Sequence, residues 1–119
     1  MTILQGEIWL VDLNPTVGSE MGKQRPCVVV SDDAVGKLPS KIVVPVTGYD
    51  SKYKDVPWMI KIETDSKNNL TKVSVADTYQ IRNLSKKRFV KRIGKIDVDL
   101  LLSIHKSIAK TMSIKYNIL

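Results

Sequence analysis

Two short runs, Cys27-Val28-Val29-Val30 and Ile42-Val43-Val44-Pro45-Val46, constrain this chain most. Both are apolar throughout and rich in β-branched side chains, which lose rotamer freedom in a helix and pack well on a pleated surface. Neither alternates with polar residues, so each reads as a strand buried on both faces. Each also carries one polar residue at an end: Arg25 before the first run and Thr47 after the second. If the two strands neighbour each other, a guanidinium and a hydroxyl meet at one lip of the core.

Other strands follow from period two. Gly6 to Leu13 reads as the first, and the connection from Asn14 to Lys23, with two glycines and a proline, as long and irregular. A connection of that length in a small domain usually has a function. Strand two is placed at Pro26–Ser31 and strand three at Lys41–Thr47, with Pro45 marking an edge or a bulge. Trp58, Ile60 and Ile62 alternate with Met59, Lys61 and Glu63. Val73 and Val75 alternate with Lys72 and Ser74, in a strand expected to run on to Arg82, and Phe89–Ile96 supplies a last strand. Trp9 and Trp58 are both assigned to the core.

The period then changes. Leu100, Leu101, Ile104, Ile108 and Met112 recur at helical spacing and form one apolar stripe. Asp97 is placed to cap the helix, and Asp99 suits the positive end of its dipole. The stripe serves core and dimer contact better than a membrane face. The fold class is therefore mainly β: a small closed barrel of five to seven strands with a C-terminal α-helix, one domain spanning 1–119.

Charge narrows the function. The chain has 19 basic and 12 acidic residues, net +7, with a pI near 9.6, which favours a polyanionic partner. The one cysteine, Cys27, lies inside an apolar run and reads as a small buried hydrophobe. The one histidine, His105, falls in the helix, so no His–Cys pair is expected. No cofactor and no metal cluster is expected. The amino terminus lacks the pattern of a signal peptide and no apolar run has transmembrane length, so the expected location is the cytoplasm, with no membrane partner.

An ordered set of segments resembles the MazF/PemK (Kid-like) family of endoribonuclease toxins. It comprises Gly6-Glu7-Ile8-Trp9-Leu10-Val11-Asp12-Leu13-Asn14-Pro15, Val17-Gly18-Ser19-Glu20, Gln24-Arg25-Pro26, Val44-Pro45-Val46-Thr47, Gln80-Ile81-Arg82 and Lys95-Ile96-Asp97. The resemblance implies an SH3-like barrel, a homodimer, metal-independent cleavage of single-stranded RNA at specific sequences, and neutralisation by an acidic antitoxin. It also implies that Arg25 and Thr47 are catalytic and that the loop Gly18–Gln24 covers the RNA. Two departures matter. Some members carry His where this chain has Ser19, and Asp or Glu where it has Tyr79, with Asp77 two residues earlier. The acid/base set assigned to those members does not transfer here.

From the residues alone, Arg25 fits phosphate recognition, because a guanidinium donates two parallel hydrogen bonds, and Thr47 adds a donor. The plain alternatives are a surface ion-pair partner and a strand-ending β-former. Asp77 and Glu20 are candidate auxiliary bases; otherwise Asp77 is a strand-end turn residue and Glu20 a loop residue or an acceptor for cytosine N4. RNA contacts are expected from Ser19, Glu20, Lys23, Gln24, Tyr49, Lys52, Tyr53, Asp77 and Arg82, since RNA binding combines cations with stacking faces. Lys86-Lys87-Arg88 reads as a solvated turn. Three readings stay open: an RNA-cleaving toxin, a toxin of the same fold that poisons a protein such as gyrase, and a non-catalytic nucleic-acid-binding barrel.

Overall fold

The β-branched runs are core strands, and each face of them has its own core. Cys27 and Val29 belong to one cluster with Trp9, Val11, Leu13, Val43, Leu84 and Phe89. Val28 and Val30 belong to a second, with Ile8, Val44, Val46, Ile62, Ala76, Ile96 and Ile104. Adjacent side chains point to opposite faces of a strand, so a continuous apolar run is what two cores require.

The computed structural model describes residues 1–115. Seven strands precede one helix: β1 (Glu7–Asp12), β2 (Gln24–Val29), β3 (Ser40–Gly48), β4 (Met59–Ile62), β5 (Ser74–Asp77), β6 (Arg82–Ser85), β7 (Phe89–Lys95) and α1 (Val98–Thr111). The sheet is antiparallel, in the order β4-β5-β3-β2-β1-β7, with β6 also on β3. The expected barrel does not close by an unbroken ladder. Between β4 and β7 the gap is bridged by the turn at 65–69, where Lys95 donates to the Lys67 carbonyl at 3.0 Å and Asn69 Nδ2 to the Ile93 carbonyl at 2.9 Å.

Several boundaries differ from the sequence reading. The strand expected to continue to Arg82 is broken by a 3-10 turn at Thr78–Gln80, where the Asp77 carboxylate accepts from the Tyr79 amide at 3.1 Å. An Asp side chain that captures a nearby amide ends a strand this way. Pro45 is neither at an edge nor a bulge: it is buried and opposite Cys27. On its other side β3 changes partner, from β6 up to Val43 to β5 from Val46, so the missing N–H falls between two ladders.

The helix starts as expected, with Asp97 Oδ1 accepting from the Leu100 amide at 2.8 Å. Ile104 is fully enclosed, and Leu100, Leu101 and Ile108 pack against the second cluster. Met112 lies past the last turn and is 61% exposed, so the stripe ends at Ile108. Ser107 Oγ is 2.8 Å from Thr78 Oγ1 and donates to the Pro57 carbonyl, which fastens the helix to the chain around β4 and β5. Trp9 is core, edge-on to Phe89. Trp58 is not: it lies in the turn just before β4, 41% exposed and against Tyr79.

Candidate active site

Cys27 pairs with Pro45 across β2 and β3, and the same register continued two residues brings Arg25 opposite Thr47. Arg25 Nη1 donates to Thr47 Oγ1 at 3.3 Å, and Nε donates to the Gly22 carbonyl at 3.0 Å. The second bond fixes the direction of the guanidinium. With Nε held, the outer N–H groups are left to face the groove. Arg25 is half-buried, so its charge acts in a partly water-excluded setting.

The pair borders an open groove of about 190 Å³. Gln24, Arg25 and Pro26 come from β2, Thr47 and Gly48 from β3, and Leu70, Thr71 and Lys72 from the connection between β4 and β5. Only Gln24, Arg25 and Thr47 among these were foreseen. In the sequence Lys72 stands out only as a polar residue in a strand alternation. The available signal was its place just before the second strand after the Thr47 strand, but a sequence does not reveal which connection folds over which strand end.

The loop from Asn14 to Lys23 is tied at many points. Leu13 donates to the Lys23 carbonyl at 2.9 Å, and Lys23 to Asn14 Oδ1 at 3.0 Å. A Cβ at Gly22 would meet that same Asn14 Oδ1 at 2.7 Å, so a larger residue there would push Asn14 off the Lys23 amide. Gln80 reaches the loop with both amide atoms, accepting from the Met21 amide at 3.2 Å and donating to the Ser19 carbonyl at 3.4 Å.

The remaining expected contacts are dispersed. Ser19, Glu20 and Lys23 are exposed on this loop, and Glu20 Oε1 accepts from the Val17 amide at 2.7 Å. Tyr49 lies under the Lys61 ammonium, 4.7 Å from ring centre, and Lys52 lies 5.2 Å over Tyr53. Tyr49, Lys52 and Tyr53 follow on β3 beyond Thr47, and Lys61 reaches Tyr49 from β4. Arg82 is committed elsewhere, donating to the Leu13 carbonyl at 3.0 Å. The basic run is less solvated than expected: Lys86 Nζ donates to the Gly36 carbonyl and Arg88 to the carbonyls of Asp12 and Asn14.

Asp77 is 8% exposed and its carboxyl is raised, chiefly by burial, against the opposing effect of the Tyr79 and Gln80 amides. Cys27 is fully buried, and burial pushes its thiol up to about 12 despite the nearby Arg82 and Arg25 charges, so it is inert as a nucleophile. His105 is on α1 with Nε2 2.9 Å from the Val30 carbonyl. Among the described residues no group of three or more His, Cys, Asp or Glu side chains converges, and no helix is long and apolar enough to cross a membrane.

Residues 4–112 match the family described as PemK-like, MazF-like toxin of type II toxin-antitoxin system. The chain belongs to the PemK/MazF toxin family. Solved structures agree on the fold of this PemK/MazF chain. MazF from Deinococcus radiodurans superposes with a TM-score of 0.80 at 20% identity, covering 95% of this chain and 98% of that one. An endoribonuclease from Mycobacterial species in complex with its cognate antitoxin gives 0.75 at 16%, covering 97% and 99%. The Mycobacterium tuberculosis toxin MazF-mt6 gives 0.74 at 15%, covering 92% and 99%.

Proposed function

We propose that this PemK/MazF-family chain is a metal-independent, sequence-specific endoribonuclease that cuts single-stranded RNA, mRNA included. The observation that carries this reading is the Arg25–Thr47 contact at 3.3 Å on the wall of an open groove. In the proposed reaction the 2′-hydroxyl attacks the adjacent phosphorus and loses its proton. The P–O5′ bond breaks, and the 5′-oxygen takes up a proton. The products are a 2′,3′-cyclic phosphate and a 5′-hydroxyl. As the phosphorus gains a fifth ligand, charge builds on its non-bridging oxygens. Arg25 and Thr47 donate to those oxygens where the charge develops, and Arg25 is already oriented by Gly22, so little reorganisation is needed. Asp77 and one oxygen of Glu20 are engaged by amides of their own turns, which favours the electrostatic role of Arg25 and Thr47 as the main contribution.

The proposal includes a homodimer neutralised by an acidic antitoxin. Net charge +7 supports an acidic partner. An antitoxin partner is supported by the similarity to an endoribonuclease solved with its cognate antitoxin and to MazE-MazF of Deinococcus radiodurans. The decisive experiment is incubation of the purified protein with a long single-stranded RNA in EDTA. Discrete fragments with 5′-hydroxyl ends are expected. No cleavage in EDTA with recovery on adding magnesium overturns the metal-independent scheme, and no cleavage under either condition overturns the enzyme assignment.

A further inference from the structure

A second charge stands at the groove with Arg25 and Thr47. Lys72 lines it, two residues before β5, and its side chain is exposed. Ser74, the residue paired with Gly48, donates from Oγ to the Lys72 carbonyl at 2.9 Å and so holds the lysine backbone beside the end of β3. The side chain then lies across Gly48. A Cβ at position 48 would stand 2.9 Å from both Cε and Nζ of Lys72 and 3.6 Å from its Cδ. Gly48 is not in the left-handed region, so its backbone does not demand glycine. The atoms it would meet are the far end of a flexible, exposed side chain, so a Cβ there would push the ammonium aside rather than be excluded.

The lysine is also unpaired. The ion pairs among the described residues are Lys61–Glu63 and Arg92–Glu7, and no side-chain hydrogen bond occupies the Lys72 ammonium. A lone ammonium at the rim of a groove, next in line after a hydroxyl–guanidinium pair, has the layout of a backbone reader. The pair takes one phosphodiester, and the ammonium is placed for its neighbour along the strand. A compact point charge suits this task, since it tolerates variation in backbone geometry, and phosphate contacts set register without reading sequence.

We propose that Lys72, its side chain lying across Gly48, binds the phosphodiester adjacent to the one held by Arg25 and Thr47. This inference rests on the proposed RNA substrate but not on cleavage, and the two can fail separately. Binding is measured with a random-sequence single-stranded 2′-O-methyl RNA pool, which cannot undergo 2′-hydroxyl attack, over a range of salt concentrations. Cleavage of unmodified RNA is measured in parallel.

Lys72→Met is expected to weaken binding about tenfold at low salt and to lower the salt slope by about 0.7, the share of one phosphate contact on a single strand. In cleavage it raises KM and leaves kcat nearly unchanged, and Lys72→Arg restores most of the affinity. Gly48→Ala displaces the lysine and is expected to weaken binding in the same way, while Gly48→Ala with Lys72→Met is no worse than Lys72→Met alone. Affinity and salt slope unchanged in Lys72→Met overturn the proposal even if the parent cuts RNA normally. A parent that binds the pool but does not cut, with the slope reduced in Lys72→Met, overturns the nuclease reading and leaves the phosphate contact standing. A parent that binds no RNA overturns both. If Gly48→Ala does not fold, the Lys72 variants decide alone.

Discussion

Gln80 accepts a hydrogen bond from the Met21 amide at 3.2 Å, across 59 residues of sequence. Its other amide atom holds the Ser19 carbonyl. The 3-10 turn after β5 thus fastens the loop that ends at Arg25, and Arg25 in turn is oriented by Gly22 of the same loop.

Gln80→Leu should therefore lower kcat/KM for RNA by about tenfold or more, since small displacements of positioned groups are costly. The melting temperature should change little, because Gln80 lies outside both core clusters. Limited proteolysis within 16–22 should accelerate. Full activity with unchanged protease resistance would show that the amide bonds do not position the loop.

Arg25→Ala should reduce cleavage by about 100-fold or more, the usual effect of removing a donor to developing oxyanion charge. Arg25→Lys should recover little, because an ammonium lacks both the fork and the Nε bond to Gly22. The measurement is kcat/KM on a mapped substrate, with circular dichroism as the folding control. Near-normal cleavage by well-folded Arg25→Ala would remove it from the chemistry.

Thr47→Val keeps size and strand preference and deletes the hydroxyl that faces Arg25. Activity should fall steeply while thermal stability holds. A valine variant that cuts RNA as well as the parent would leave Thr47 a structural strand end.

The Asp77 carboxyl is raised chiefly by burial, so the folded protein keeps this proton to higher pH than the unfolded chain does. Between the ordinary aspartate value and the raised one, the native state binds more protons. Stability therefore falls as pH rises through that window and stays reduced above it. Asp77→Asn retains an acceptor for the Tyr79 amide and carries no charge, so it should be more stable than the parent at neutral pH and lack that decline. Denaturant melts at acid and neutral pH check this, and an asparagine variant less stable at neutral pH would contradict it.

The strands were legible because apolar periodicity states which faces are buried, and β2 and β3 bury both. The pairing of Arg25 with Thr47 followed once those runs were neighbours. What escaped the sequence were the consequences of local polar capture and long-range packing. Asp77 diverts the chain into a 3-10 turn, and Trp58 falls in the turn before β4, where it is exposed. Lys72 joins the groove only because one connection folds over the end of another strand. Gln80 was visible as part of a motif, yet its reach to Met21 depends on two loops meeting in space.

The lone thiol has a practical consequence. Cys27 is enclosed at 0% exposure and resists ionisation, so this thiol should ignore maleimides in the native protein. A cysteine introduced at exposed Ser19 would then be the single reactive thiol on the molecule. A fluorophore attached there would ride on the loop beside the groove, giving a direct optical reporter of anything that enters it.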